Sequence, residues 1–295
     1  MPLGAAALTG IQVGAALVAS QAVVADVGAG RLGFLRYAIA LLFLLPFVRR
    51  RASAPISRRD LVPVALIGMG QFGVLILFLN VAVMHTSSAR VSLVFATLPL
   101  MTIALGWFLG RELLRGRDLA AIALTLVGLA ILLGADALAG SLASSDLIGL
   151  AMAAAATLTG AICSTLYRPY LQRYGVVKVS ALALAASLLP LGLAGLIEPA
   201  TSPLLALDAH TWLLIVFVGL SSGVGYLLWL YALSAASAGM VTAFLALSPI
   251  TATALSVLFL AQAMTPVLVM AIGCVVGGLA MMALPGRTRV AAPNP

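Results

Sequence analysis

The chain has 295 residues, of which 63% are apolar and only 8% are charged, and its mean hydropathy is +1.19. A soluble domain carries about 25% charged residues. This chain lacks the polar side chains to cover a water-facing surface, which excludes the soluble, disordered and disulfide-scaffold classes. Its net charge of +8 then reflects membrane orientation rather than a nucleic-acid partner.

An outer-membrane barrel would alternate apolar and polar residues in segments of about ten. Residues 38–48 and 151–156 are instead continuous apolar runs. A spanning helix needs roughly 20 such residues to cross about 30 Å of hydrocarbon. In chain order, the apolar runs predict helices over residues 4–24, 32–48, 61–83, 89–109, 118–135, 146–167, 177–197, 211–232, 238–260 and 266–284. The expected fold class is all-α integral membrane, with ten transmembrane helices. The fifth span is short and is expected to stand nearly upright. Residues 1–24 lack the basic region of a cleaved signal peptide and read as a retained first helix. Cys163 and Cys274 each lie in an apolar run and read as small buried hydrophobes.

The arginines orient these spans. With a cytoplasmic N-terminus, thirteen cations face the cytoplasm: Arg49, Arg50, Arg51, Arg58, Arg59, Arg111, Arg115, Arg117, Arg168, Arg173, Lys178, Arg287 and Arg289. Only Arg31 and Arg90 face the other side, and Arg36 lies inside the second span. By the positive-inside rule both termini are cytoplasmic. The loops 136–146 and 198–210 carry Asp136, Asp146, Glu198 and Asp208 and no cation. They read either as a cation-collecting rim or, more simply, as segments that avoid translocated positive charge.

Sliding the chain on itself by 150 positions lays residues 62–130 on 212–280 without a gap. Pro99 then falls on Pro249, Ser87 on Ser237, Gly73 on Gly223 and Gly128 on Gly278. Prolines and glycines constrain the backbone, so these matches outweigh shared Ala, Val or Leu. Each unit holds five spans, an odd number, so the second copy enters the membrane from the opposite side. The expected organisation is a first repeat over 1–136, a second over 146–285 and a cytoplasmic tail over 286–295. Inverted repeats of this kind point to a secondary transporter with its site at the repeat interface.

In the first repeat Pro99 precedes Leu109-Gly110-Arg111-Glu112, followed by Gly128-Leu129. The second has Ala261-Gln262 at the place of the Gly-Glu pair. With its two five-helix units over about residues 4–284, the chain resembles the EamA-type branch of the drug/metabolite transporter superfamily. Its size and neutral core are most similar to amino-acid exporters of the YddG type. The resemblance implies a ten-helix basket in a bacterial inner membrane. Helices one, three, four, six, eight and nine would line a central cavity, with five and ten outside.

Ionisable groups at mid-span cost roughly 2.5–3.5 kcal/mol on insertion scales and so mark function. The first span has no acid, unlike cation/proton antiporters of the small multidrug kind, and no span has a Lys or Arg near its middle. A phosphate carrier would want such a cation. Arg36, about one turn inside the outer end of helix two, is expected to snorkel outward or to pair with Asp26. A small zwitterionic or neutral metabolite fits best, with amino acids, aromatic ones included, ahead of nucleosides or organic-cation drugs. An integral-membrane enzyme is a distant alternative. Without a mid-membrane relay of Asp, Glu and His, the expected energetics are uniport or exchange, or coupling through end groups such as His85. The expected partners are the substrate and the lipid bilayer, in a monomer or homodimer, with no cofactor or metal.

Candidate substrate-binding residues emerge from spacing. Gln71, Phe78 and His85 recur at i, i+7 and i+14 and share one helix face. The repeat sets Gln71 opposite Ser221, and Ser221-Ser222 lies at mid-span of helix eight. Tyr226 comes one turn after Ser222, ahead of Trp229, which reads as part of an interfacial belt. Helix four presents Ser92 and Phe95 on the face of Pro99. For the polar members of this set, interhelical hydrogen bonding is the competing reading. Pro99 and Pro249 read as paired hinges or as static kinks. Gly273-x-x-x-Gly277 reads as a close contact, either internal or at a dimer seam.

Overall fold

The computed structural model describes residues 2–50, 56–108, 116–138, 143–198, 203–235 and 244–283. Among these every regular element is helical. Eight helices are long and apolar enough to cross a membrane, and two more are apolar but shorter. The helices are α1 (Pro2–Val27), α2 (Ala29–Arg50), α3 (Arg58–His85), α4 (Ser88–Phe108), α5 (Gly116–Leu138), α6 (Ser144–Tyr174), α7 (Val176–Ile197), α8 (Ala209–Ala235), α9 (Leu247–Leu260) and α10 (Pro266–Ala283). The Leu109-Gly110-Arg111-Glu112 motif, Arg51, Arg115, Ser237 and the tail with Arg287 and Arg289 lie outside the described residues.

Two lengths differ from expectation. The fifth helix is not short: it runs for 23 residues, because a charge in a helix's end turns does not by itself stop the helix. α6 continues past residue 167 to Tyr174 and stops at Gly175, whose φ of 76 ends the helical hydrogen-bond ladder.

Prolines mark two irregularities at equivalent places. Pro99 has no N–H for the Phe95 carbonyl, and α4 breaks at Ala96–Thr97, one turn upstream. α9 is likewise preceded by a 3-10 turn, Phe244–Ala246, upstream of Pro249. Ala96 (φ −62, ψ −14) and Ala246 (φ −58, ψ −19) share nearly the same backbone geometry.

The packing partners form matching pairs. α1 packs on α8 as α6 does on α3, and α1 on α9 as α6 does on α4. α2 lies on α8 as α7 does on α3, while α2 meets α7 and α5 meets α10. Glycines allow these approaches. Gly73 lies against Pro190 of α7 and Gly223 against Ala40 and Phe43 of α2, while Gly128 and Gly278 set the contact of α5 with α10. A β-carbon at any of the four would come within 3.0 Å of a neighbour. Gly273 has nothing within 4 Å, so internal close packing of α10 runs through Gly278 rather than the Gly273–Gly277 pair. The main apolar core, with Val23, Leu32, Leu44, Leu79, Leu191 and Ile215, joins α1–α4 to α6–α8. A second cluster fastens α5 and α10 to α4 through Leu93, Leu100, Leu132 and Val275. Both cysteines are free thiols; Cys163 is buried and Cys274 half-buried.

The acids of the two loops have structural partners where their side chains are described. Both Glu198 oxygens accept from Gly30 N–H, at 2.8 and 3.0 Å, and so cap α2. Asp208 accepts from Thr211 N–H at 3.0 Å as the N-cap of α8. Those hydrogen bonds from Thr211 hold its carboxyl below the usual range. Asp146 accepts from Thr86 Oγ1 at 2.6 Å and Arg90 at 2.7 Å. These three are caps and pairs rather than a free acidic rim.

Candidate functional site

Tyr226 and Ser222, both singled out from the sequence, belong to one polar and aromatic cluster. Ser222 stands at the midpoint of the 27-residue α8, and Phe72 about halfway along α3. Arg36 Nε of α2 donates to Ser222 Oγ at 2.8 Å. Its guanidinium carbon lies 5.7 Å from the centre of the Tyr37 ring. Phe72 takes the Tyr37 ring edge-on at 5.5 Å and the Tyr226 ring edge-on at 5.8 Å. The Tyr226 hydroxyl is hydrogen-bonded to Ser180 Oγ of α7. Tyr167 of α6 packs in the adjoining cluster with Phe72. The set combines one guanidinium, four neutral hydroxyl-bearing side chains (Tyr37, Ser180, Ser222 and Tyr226) and edge-to-face aromatic rings, an arrangement that can hold a small solute by charge, dipole and ring face.

The position of Arg36 corrects the expectation that it snorkels outward or pairs with Asp26. Among the described residues it forms no ion pair. The cause lies in the neighbouring helix: Gly219 and Gly223 let α8 close onto Ile39 and Ala40 of α2. Ser222 thereby comes within reach of the Arg36 side chain.

The family model for the EamA-like transporter family matches residues 2–134 and again residues 147–284. This chain belongs to the EamA-like transporter family. An uncharacterized transporter from Clostridium kluyveri is 23% identical over 231 residues, which cover 77% of this chain and 74% of the relative. A solved crystal structure superposes with a TM-score of 0.69 at 23% identity, covering 98% of each chain, and shares the fold. Membership and relative both point to a transporter rather than an enzyme.

In this EamA-like chain the other expected residues are not all brought together. α3 contains a π segment, Met69–Val74. Its wider turn rotates the residues before it relative to those after it. Phe72, within this segment, turns its ring toward Tyr37 and Tyr226. Gln71 Oε1 meets Ser164 Oγ of α6 at 3.5 Å, and Ser221 Oγ accepts from Gln12 Nε2 of α1 at 3.3 Å. These two positions, equivalent under the 150-residue offset, thus make equivalent contacts. Phe78 and Phe95 are half-buried and pack on the main core. Ser92 is fully buried and donates to Ala89 C=O at 2.8 Å. His85 ends α3, away from the cluster. Trp229 packs with Phe244 against Ala5 and Ala6 of α1. Among the described residues no group of three metal-ligating side chains occurs.

A polar network ties the helices at the end of the bundle that carries Asp146. Gln21 Oε1 accepts from Ser88 N–H at 2.8 Å and from Gln262 Nε2 at 3.0 Å. The Ser88 and Ser256 hydroxyls share a 2.7 Å bond, and Arg90 pairs with Asp146. These contacts join α1, α4, α6 and α9 beside a cavity of about 280 Å³ lined by Arg90, Thr253, Gln262 and Thr265 among others.

Proposed function

We propose that the protein is a secondary transporter that exports or exchanges small zwitterionic metabolites, amino acids first, by alternating access. The observation that carries this is the mid-bundle cluster. Arg36, Tyr37 and Phe72 come from the first half of the chain, and Ser180, Ser222 and Tyr226 from the second. A site made jointly by two inverted five-helix repeats, over 1–136 and 146–285, changes exposure when one repeat rocks against the other. The matching helix pairs, the paired proline irregularities and the twice-matched family model support that organisation. The arginine distribution supports cytoplasmic termini, and the helical spans together with the family membership support a bacterial inner membrane. The cationic Arg36 favours solutes with a carboxylate over organic cations. The described acids stand at helix ends, which supports uniport or exchange over a carboxylate proton relay.

The test is uptake of pooled radiolabelled amino acids into proteoliposomes, with and without a pH gradient. Saturable uptake is expected without a gradient, reduced at least about tenfold by Tyr226→Ala. If folded protein moves no amino acid, the substrate class is wrong. Strict dependence on the gradient contradicts uniport and exchange.

A further inference from the structure

Arg36 occupies an unusual electrostatic position. A cation taken into a helix bundle is normally neutralised by a carboxylate, because an unpaired one is costly in a poorly solvated setting. Here the acids with described placement sit elsewhere. Asp26 lies in the last turn of α1, while Asp60, Asp118 and Asp146 lie in the first turns of α3, α5 and α6. Glu198 and Asp208 flank α7 and α8. Arg36 has one hydrogen bond, from Nε to the neutral hydroxyl of Ser222. Its two terminal nitrogens bond no described residue, and they are not sealed from solvent-sized contact as Arg117 Nε is. The forked edge of the guanidinium, which suits a carboxylate in a bidentate pair, is therefore the part left free.

The surroundings define the rest of the ligand. Tyr37, Phe72 and Tyr226 adjoin Arg36 as an edge-to-face aromatic series. Aromatic edges and faces suit an apolar or aromatic body. Among the described residues no anion is at hand to take an ammonium group, which would meet only hydroxyls and ring faces.

We infer that Arg36 is the carboxylate receptor of the central site, and that the site selects monocarboxylates with an apolar or aromatic body whether or not they carry an amine. This rests on the transport reading for the location of the site. It goes further in making the carboxylate, not the zwitterion, the recognised feature. Ser222 positions the guanidinium through Nε and leaves both terminal nitrogens for the ligand.

The experiment compares binding of three related probes to the purified full-length protein by calorimetry: phenylalanine, 3-phenylpropanoate, which lacks the amine, and phenethylamine, which lacks the carboxylate. The expected result is 3-phenylpropanoate binding at least as tightly as phenylalanine, with phenethylamine at least about tenfold weaker. A hydrogen-bonded charge pair corresponds to about 10- to 100-fold in affinity. Arg36→Gln is expected to weaken both acids by that factor and leave phenethylamine unchanged, and Arg36→Lys to recover part of the loss. Monodisperse elution of each variant shows that it is folded. The inference is overturned if phenethylamine binds as well as 3-phenylpropanoate, if folded Arg36→Gln binds the acids like the parent protein, or if none of the probes binds the parent protein. Acids that bind through Arg36 while proteoliposomes carry no amino acid would leave the inference standing and overturn the amino-acid reading instead.

Discussion

Ala261 closes α9 with a left-handed backbone, φ 50 and ψ 30. A residue with a β-carbon loses roughly 1–2 kcal/mol in that conformation, which glycine adopts freely. The strain is held by the helix end: Gln262 N–H bonds the Ser256 carbonyl at 3.2 Å, and its side chain bonds Gln21 of α1 at 3.0 Å. Ala261→Gly is therefore expected to raise stability by about 1 kcal/mol, seen as a higher thermal unfolding midpoint in detergent. A lower midpoint would contradict the strain. At this scale the central cluster was half legible. Ser222 and Tyr226 stand out as polar groups one turn apart in an apolar span. Phe72 does not, because nothing in Met69–Val74 announces a π turn, and Tyr37 of α2 does not, because its ring partner Phe72 lies in another helix. The direction of Arg36 is not legible in the sequence, because it depends on glycines in another helix, Gly219 and Gly223.

At the scale of helices, the prolines act through the hydrogen bond they remove. The α4 break at Ala96–Thr97 and the 3-10 turn before α9 each lie about one turn upstream of a proline. If these are working hinges, Pro99→Ala lets α4 run continuously and stiffens it. The expected outcome is a transport rate several-fold lower with substrate affinity within about twofold, read from turnover and binding on the same preparation. An unchanged rate would make the break a static kink. Helix positions were legible because apolar runs are long and separated by arginine clusters. Helix ends were less so. α6 outlasted its apolar run and ended only where Gly175 takes a positive φ.

For the whole molecule, each end of the bundle has its own polar tie. Asp146 with Arg90 and Thr86, and Gln21 with Gln262, fasten one end. Asp60 with Tyr174 and Arg173 fastens α3 to the end of α6 at the other. An alternating-access protein needs such ties to be individually weak, and a partly exposed ion pair contributes only about 1 kcal/mol. Asp146→Asn is expected to raise labelling of Thr253→Cys, which lines the adjoining cavity, by a membrane-impermeant maleimide. The expected increase is about fivefold, in a background with Cys163 and Cys274 replaced by Ala. Unchanged labelling would mean that the pair does not hold this end. A few prolines and glycines at a 150-residue offset suggest a doubled organisation, and the family model matches the chain twice, over residues 2–134 and 147–284. The side-chain ties were not legible, because their partners lie far apart in sequence and meet only when the helices pack.

The most direct measurement of alternating access is trans-acceleration in proteoliposomes. Vesicles preloaded with unlabelled phenylalanine are expected to take up external labelled phenylalanine faster than empty vesicles, because a loaded carrier returns more readily than an empty one. The stimulation should disappear in Tyr226→Ala. Saturable uptake that is indifferent to the internal substrate would contradict a central site exposed to one side at a time.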